Sequence, residues 1–248
     1  MIEYLIVILA NLLIGGMIGL TGIAGFLLPM LYTGFLGMPA AQGMALSFFA
    51  FLISGVLGSW NYYRAKNLDL GLGLWISAGS LAGAAAGVWL NLLLQEGIVK
   101  RILYLVVLLS GISILARKDK ERNNNQKKDI NIFICLLFGL VTGAVCALSG
   151  AGGPILVMPL LVVLGVPVKT AVGVALFNSI FIAIPSCIGY SLQCDPKSMA
   201  VLLAVSMASH GAGVWAGSRN TSFLKPKVLK KAVAVFSVCI ALFKLAAG

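Results

Sequence analysis

The chain has 248 residues, of which 60% are hydrophobic and only 10% charged, with a formal net charge of +11. A soluble domain carries about a quarter charged residues, so this chain cannot dress a water-facing surface. Its basic excess sits in short segments between long apolar runs, the pattern of cytoplasmic loops in membrane proteins, which points to membrane lipid and away from nucleic acid.

Apolar runs of about 18 or more residues predict membrane spans. The first uncharged run, Tyr4 to Tyr63, is too long for one helix. It holds the motif Leu20-Thr21-Gly22-Ile23-Ala24-Gly25, a short helix over 26–36, the turn Leu36-Gly37-Met38-Pro39 and a helix over 41–63. A glycine-rich helix over 70–94 and a helix over 99–116 follow. Arg117 to Asp129 is the one hydrophilic stretch, with Lys118, Lys120, Arg122, Lys127 and Lys128 around three asparagines. The uncharged run Ile130 to Val168 then holds Leu148-Ser149-Gly150-Ala151-Gly152-Gly153, a short helix over 154–164 and the turn Leu164-Gly165-Val166-Pro167. Helices over 169–192, 197–218 and 229–247 close the chain.

The second set repeats the first 128 positions later. Gly15/Gly143, Met30/Met158, Phe49/Phe177, Tyr62/Tyr190 and Gly83/Gly211 keep the same offset. The last helices align at 130, through Val99-Lys100-Arg101 and Leu229-Lys230-Lys231. A duplicated, glycine-interrupted apolar half is the sequence mark of a secondary transporter built from two repeats. The expected division is an N-terminal transmembrane repeat (1–116), a basic cytoplasmic linker (117–129) and a C-terminal transmembrane repeat (130–248). Small residues at four-residue spacing, such as Gly79, Gly83 and Gly87, predict close helix packing.

Loop charge selects the topology. If each glycine segment crosses once, lysine and arginine divide nine against eight between the two sides. If each enters and leaves on one face, or crosses as two short helices, the division becomes fourteen against three. The positive-inside rule selects the second. The expected fold is therefore an all-α polytopic membrane protein of two inverted repeats, each a broken or re-entrant glycine-containing segment plus three transmembrane helices. Both termini are then outside. Glu3 stands where a secretion signal would be basic, so no cleavable leader is expected.

Irregular backbone at membrane depth is tolerated where it is buried in protein or lines a wet cavity. The two glycine motifs are the candidate breaks. Pro154 suits the first turn of a new helix. A helix N-terminus offers free N–H groups and about half a positive charge, a ready anion site. The candidate substrate-binding residues are Thr21, Gly22, Ala24, Gly25, Ser149, Gly150, Gly152, Gly153 and Pro154, with Ser47 and Asn178 on the helices that follow. No Asp, Glu, Lys or Arg lies in the middle of an apolar segment, whereas a buried carboxylate marks a cation or proton path. The expected ligand is a small anion. His210, the one histidine, lies in a glycine-rich helix and is a candidate gating or coupling group.

The five cysteines show no metal or redox spacing and read as small hydrophobes. No nucleophile–base pair appears, so no enzyme is expected; nor is a cofactor or metal. A homo-oligomer stays open.

The paired glycine segments, Pro154, the Leu-Gly-x-Pro turns, Ala171-Val172-Gly173 and the duplicated layout resemble the TauE/SafE sulfite-exporter family, also called the toluene-sulfonate uptake permease family. The likeness spans nearly the whole chain. The first half departs from it, with Ala24 in place of one glycine and Pro29 two residues ahead of the partner of Pro159, which is Leu31. The resemblance implies a bacterial or archaeal plasma-membrane transporter of sulfur-containing or organic anions such as sulfite or sulfonates. The alternatives are a membrane scaffold or accessory subunit, and a proton-coupled anion importer.

Overall fold

A computed structural model describes residues 2–21, 24–116 and 131–219, with 235, 238, 239, 241–243 and 245 beyond them. These residues form helices and turns, with no strand among them. The elements are α1 (Ile2–Thr21), a short α2 (Ala24–Phe35), α3 (Ala40–Arg64), α4 (Leu70–Leu93), α5 (Glu96–Ala116), α6 (Ile132–Ser149), α7 (Gly153–Val163), α8 (Val168–Ser191) and α9 (Pro196–Arg219). The sequence-predicted bounds hold within three residues for α2 to α5 and α7 to α9; no bounds are predicted for α1 and α6. Most of the predicted helix over 229–247 and all of the linker lie outside the described residues. Among the described residues, five helices are long and apolar enough to cross a membrane: α3, α4, α6, α8 and the Met199–Ser218 part of α9.

Local chemistry sets the boundaries. In each half, the Leu-Gly-x-Pro turn uses a left-handed glycine, Gly37 at φ 66° and Gly165 at φ 96°. That conformation ends the preceding helix. The amides beyond it close back on the helix, Met38 N–H to the Tyr32 carbonyl (2.9 Å) and Val166 N–H to Leu161 (3.0 Å). Pro39 and Pro167 then cap α3 and α8 with nearly the same backbone angles. The Asp69 carboxylate caps α4 by accepting from Leu72 N–H at 3.1 Å, and the Asn131 side chain caps α6 by accepting from Phe133 N–H at 2.9 Å.

The two halves interlock. α4 packs mainly on α6, α1 on α9, and α3 on α8. On the first seam Gly79, Gly83 and Gly87 press against the backbone of Leu136, Leu140 and Ala144 in turn. α4 and α6 therefore run parallel, and Ser80 Oγ donates across the seam to the Gly139 carbonyl at 3.0 Å. On the second seam Gly15 and Gly19 meet the backbone of His210 and Val214, so α1 and α9 are parallel too. A Cβ at these positions would collide with the neighbouring carbonyl, so only glycine allows this approach.

α3 and α8 run the other way. Gly55 lies against Ser179 and Ile180, Gly58 against Leu176, and Gly173 against Tyr62 and Asn67, which is an antiparallel register. α3 is parallel to α9, through Ser54 beside His210 and the Asn61 amide donating to Ser218 Oγ at 2.7 Å. α2 turns back along α1, where Asn11 Nδ2 donates to Tyr32 Oη at 2.7 Å.

The outer surface carries large apolar side chains, among them Leu13, Trp89, Leu109, Phe133 and Ile188. At the end of α3 the Arg64 guanidinium lies 5.1 Å above the Trp60 ring, beside exposed Tyr63. Aromatic and basic residues together at a helix end suit a membrane–water interface.

Candidate functional site

The chain breaks α6 from α7 with two glycines in conformations that L side chains rarely adopt. Gly150 is left-handed (φ 72°, ψ 8°) and ends α6. Gly152 (φ 74°, ψ 148°) starts α7. Only glycine enters the second region without strain. Ser149 Oγ–H donates to the Val145 carbonyl (2.7 Å) and accepts from Ala151 N–H (3.4 Å), and Cys146 Sγ–H donates to the Gly152 carbonyl (3.3 Å). These bonds tie the break to the last turn of α6. Gly152 has no side chain to cap α7, and Pro154 has no N–H, so the free donors of the first turn belong to its neighbours.

The break opens on a narrow cleft lined by Ile18, Gly25, Phe51, Ser54, Ala151, Gly152, Pro154, Ile155 and Ser179. Both glycine segments therefore contribute to one site: Gly25 from the first, Ala151 to Pro154 from the second. Among the described residues, no charged side chain lines it. Its room is that of about one water molecule, so this conformation is closed to anything larger.

Two serines line the cleft. Ser54 Oγ–H donates to the Ala50 carbonyl at 2.8 Å and Ser179 Oγ–H to Leu176 at 2.6 Å. Behind Ser54, His210 is fully buried with Nε2 3.4 Å from Ser54 Oγ. The histidine touches the cleft through that serine rather than directly.

Of the residues named from sequence, Gly25, Gly152 and Pro154 line the cleft. Gly153 lies one layer back, against Ser179 and Ile182. Gly150 faces Met44 and Pro29. Ala24 is buried outside the lining. Ser47 donates to the Gly43 carbonyl of its own helix at 2.7 Å, away from the cleft. Asn178 is fully buried, neither amide atom has a hydrogen-bond partner among the described residues, and it is not among the lining residues. Gly22 and the Thr21 side chain lie outside the described residues.

Sequence reasoning missed Ile18, Phe51, Ser54, Ala151, Ile155 and Ser179 as lining residues. A signal was present for two of them. Phe51 and Ser179 stand at the 128-residue offset of the repeat, so equivalent positions of α3 and α8 face one cleft.

Apolar helices, small-residue seams and two chain breaks meeting on an interior cleft define a polytopic membrane transporter. The family model for the sulfite exporter TauE/SafE matches residues 4–243, and the chain belongs to that family. It is 24% identical over 236 residues to a probable membrane transporter protein, YdhB, of Bacillus subtilis, covering 92% of this chain and 95% of that one. It is 28% identical over 163 residues to a second, YjnA, of the same organism, covering 58% and 63%. It is 23% identical over 184 residues to the probable membrane transporter protein MJ0441 of Methanocaldococcus jannaschii, covering 70% and 68%. No solved structure matches.

Proposed function

We propose that this protein exports small sulfur-containing or organic oxyanions, of the sulfite or sulfonate kind, across the cell membrane by alternating access around the cleft. The observation that carries this reading is the meeting of both glycine breaks on one uncharged cleft, with the uncapped start of α7 on its wall. Amide donors and a helix dipole there hold negative charge without a buried cation. With the cell interior negative, each negative charge that leaves gains about 2.3 kcal/mol per 100 mV. Export of an anion thus needs no coupling ion.

The two halves serve as inverted repeats. The antiparallel register of α3 and α8, which are equivalent in the repeat, supports this. So does the common direction of α1, α9 and α3, which requires α2 to carry the chain back. The linker and the segment 219–231 then lie in the cytoplasm, with both termini outside.

The test is thermal stabilisation of the purified protein by sulfite, thiosulfate, sulfoacetate, taurine and simple carboxylates. Oxyanions should raise the melting temperature and cations should not; stabilisation by cations alone would overturn the reading. His210 beside Ser54 favours one rival, proton-coupled import. In proteoliposomes, flux driven by membrane potential should survive in His210→Gln. A wild-type flux that needs a pH gradient and is lost in that variant would replace export with coupled uptake.

A further inference from the structure

The Phe51 ring stands between the two chain breaks. A Cβ placed on Gly25 would lie 2.9 Å from Phe51 Cε1, on one edge of the ring. One placed on Gly152 would lie 3.1 Å from Cε2, on the opposite edge. The ring is thus wedged between one glycine of each break; a methyl on Gly25 would force the ring to shift, and one on Gly152 would press on its opposite edge. Phe48 backs it edge-to-face, with centroids 5.6 Å apart and planes at 90°. Phe48 in turn stacks on Tyr190 at 5.7 Å and 9°, whose hydroxyl donates to the Ala147 carbonyl at the end of α6 (2.7 Å). The repeat places Ser179 opposite, at the equivalent position of α8. One wall therefore carries a serine and the other a phenyl ring, in a cleft with almost no free space.

We propose that Phe51 sets the size of the anion this cleft admits: its ring fills the gap between the breaks, and a ligand enters by displacing it. This rests on the cleft being the anion site. The ring excludes by volume, so the effect grows with the apolar tail of the ligand rather than with its charged group. A methylene in an apolar pocket changes selection by roughly 10- to 200-fold.

The experiment is a thermal-shift titration of the full chain with sulfite and with methane-, ethane-, propane- and butanesulfonate. Phe51→Leu should tighten binding of propane- and butanesulfonate at least about tenfold more than it tightens binding of sulfite. Gly25→Ala, whose methyl meets the ring edge, should shift selection toward the smaller anions where Phe51 is present. It should have little effect on a Phe51→Leu background. Unchanged ratios across the sulfonate series, or equal effects of Gly25→Ala on both backgrounds, would overturn the proposal while leaving the anion site standing. If none of these anions stabilises wild type or variants, the anion site falls, and Phe51 as its selector falls with it.

Discussion

Asn178 is fully buried and, among the described residues, it alone has both side-chain polar atoms buried without a hydrogen-bond partner. Such a group costs about 1–3 kcal/mol when left unpaired. Functional sites are where folded chains keep costs of this kind. Replacing it with the similarly sized, apolar leucine removes the penalty. Asn178→Leu should therefore raise the melting temperature of the ligand-free protein. A drop in the ligand-free melting temperature, measured in the same detergent, would make Asn178 a structural bridge instead. Ser47 shows the contrasting case, a buried hydroxyl satisfied by the Gly43 carbonyl one turn earlier.

Among the elements, the parallel seams of α4 with α6 and α1 with α9 carry the assembly of the two halves. Lipid tails are as apolar as leucine, so helices in a bilayer associate by close contact and not by escape from water. Gly83 is set against the Leu140 carbonyl, with no room for a methyl group. Gly83→Ala should push α4 from α6 and destabilise the protein by about 1–3 kcal/mol, the usual cost of overpacking. Gly97, in α5, has nothing within 4 Å of where its Cβ would stand. Gly97→Ala should stabilise by about 0.5–1 kcal/mol through helix propensity and a less flexible unfolded chain. Melting curves of the two variants side by side check the pair. Equal effects would mean that the seam is loose.

For the whole molecule, two independent kinds of observation bear on the same topology. One is the charge of loops that lie mostly outside the described residues; the other is the direction of helices in contact. Together they predict that a single cysteine in the linker near Asn124 and one at Lys225 react with a membrane-impermeant thiol reagent from the same, cytoplasmic face. The background for that measurement is a chain whose five native cysteines are replaced. Labelling from opposite faces would return the protein to four crossings per half. The interlocked seams also mean that neither half buries its glycine faces alone.

The repeat, the positions of the helices and the two chain breaks were legible in the residues, because they rest on local backbone chemistry. Glycine at 37, 150, 152 and 165 permits a positive φ, and proline at 39 and 167 starts the next helix wherever the chain happens to lie. What remained hidden is which face of each helix turns inward. In a soluble protein the alternation of polar and apolar residues reveals it. Here lipid and protein interior are both apolar, so that alternation is missing. Phe51, inside the cleft, looks no different in sequence from Phe133 on the outer surface. Only the crossing of α3 with α8 and with the two breaks made Phe51 and Ser54 part of the site, while leaving Ser47 and Gly150 out of it.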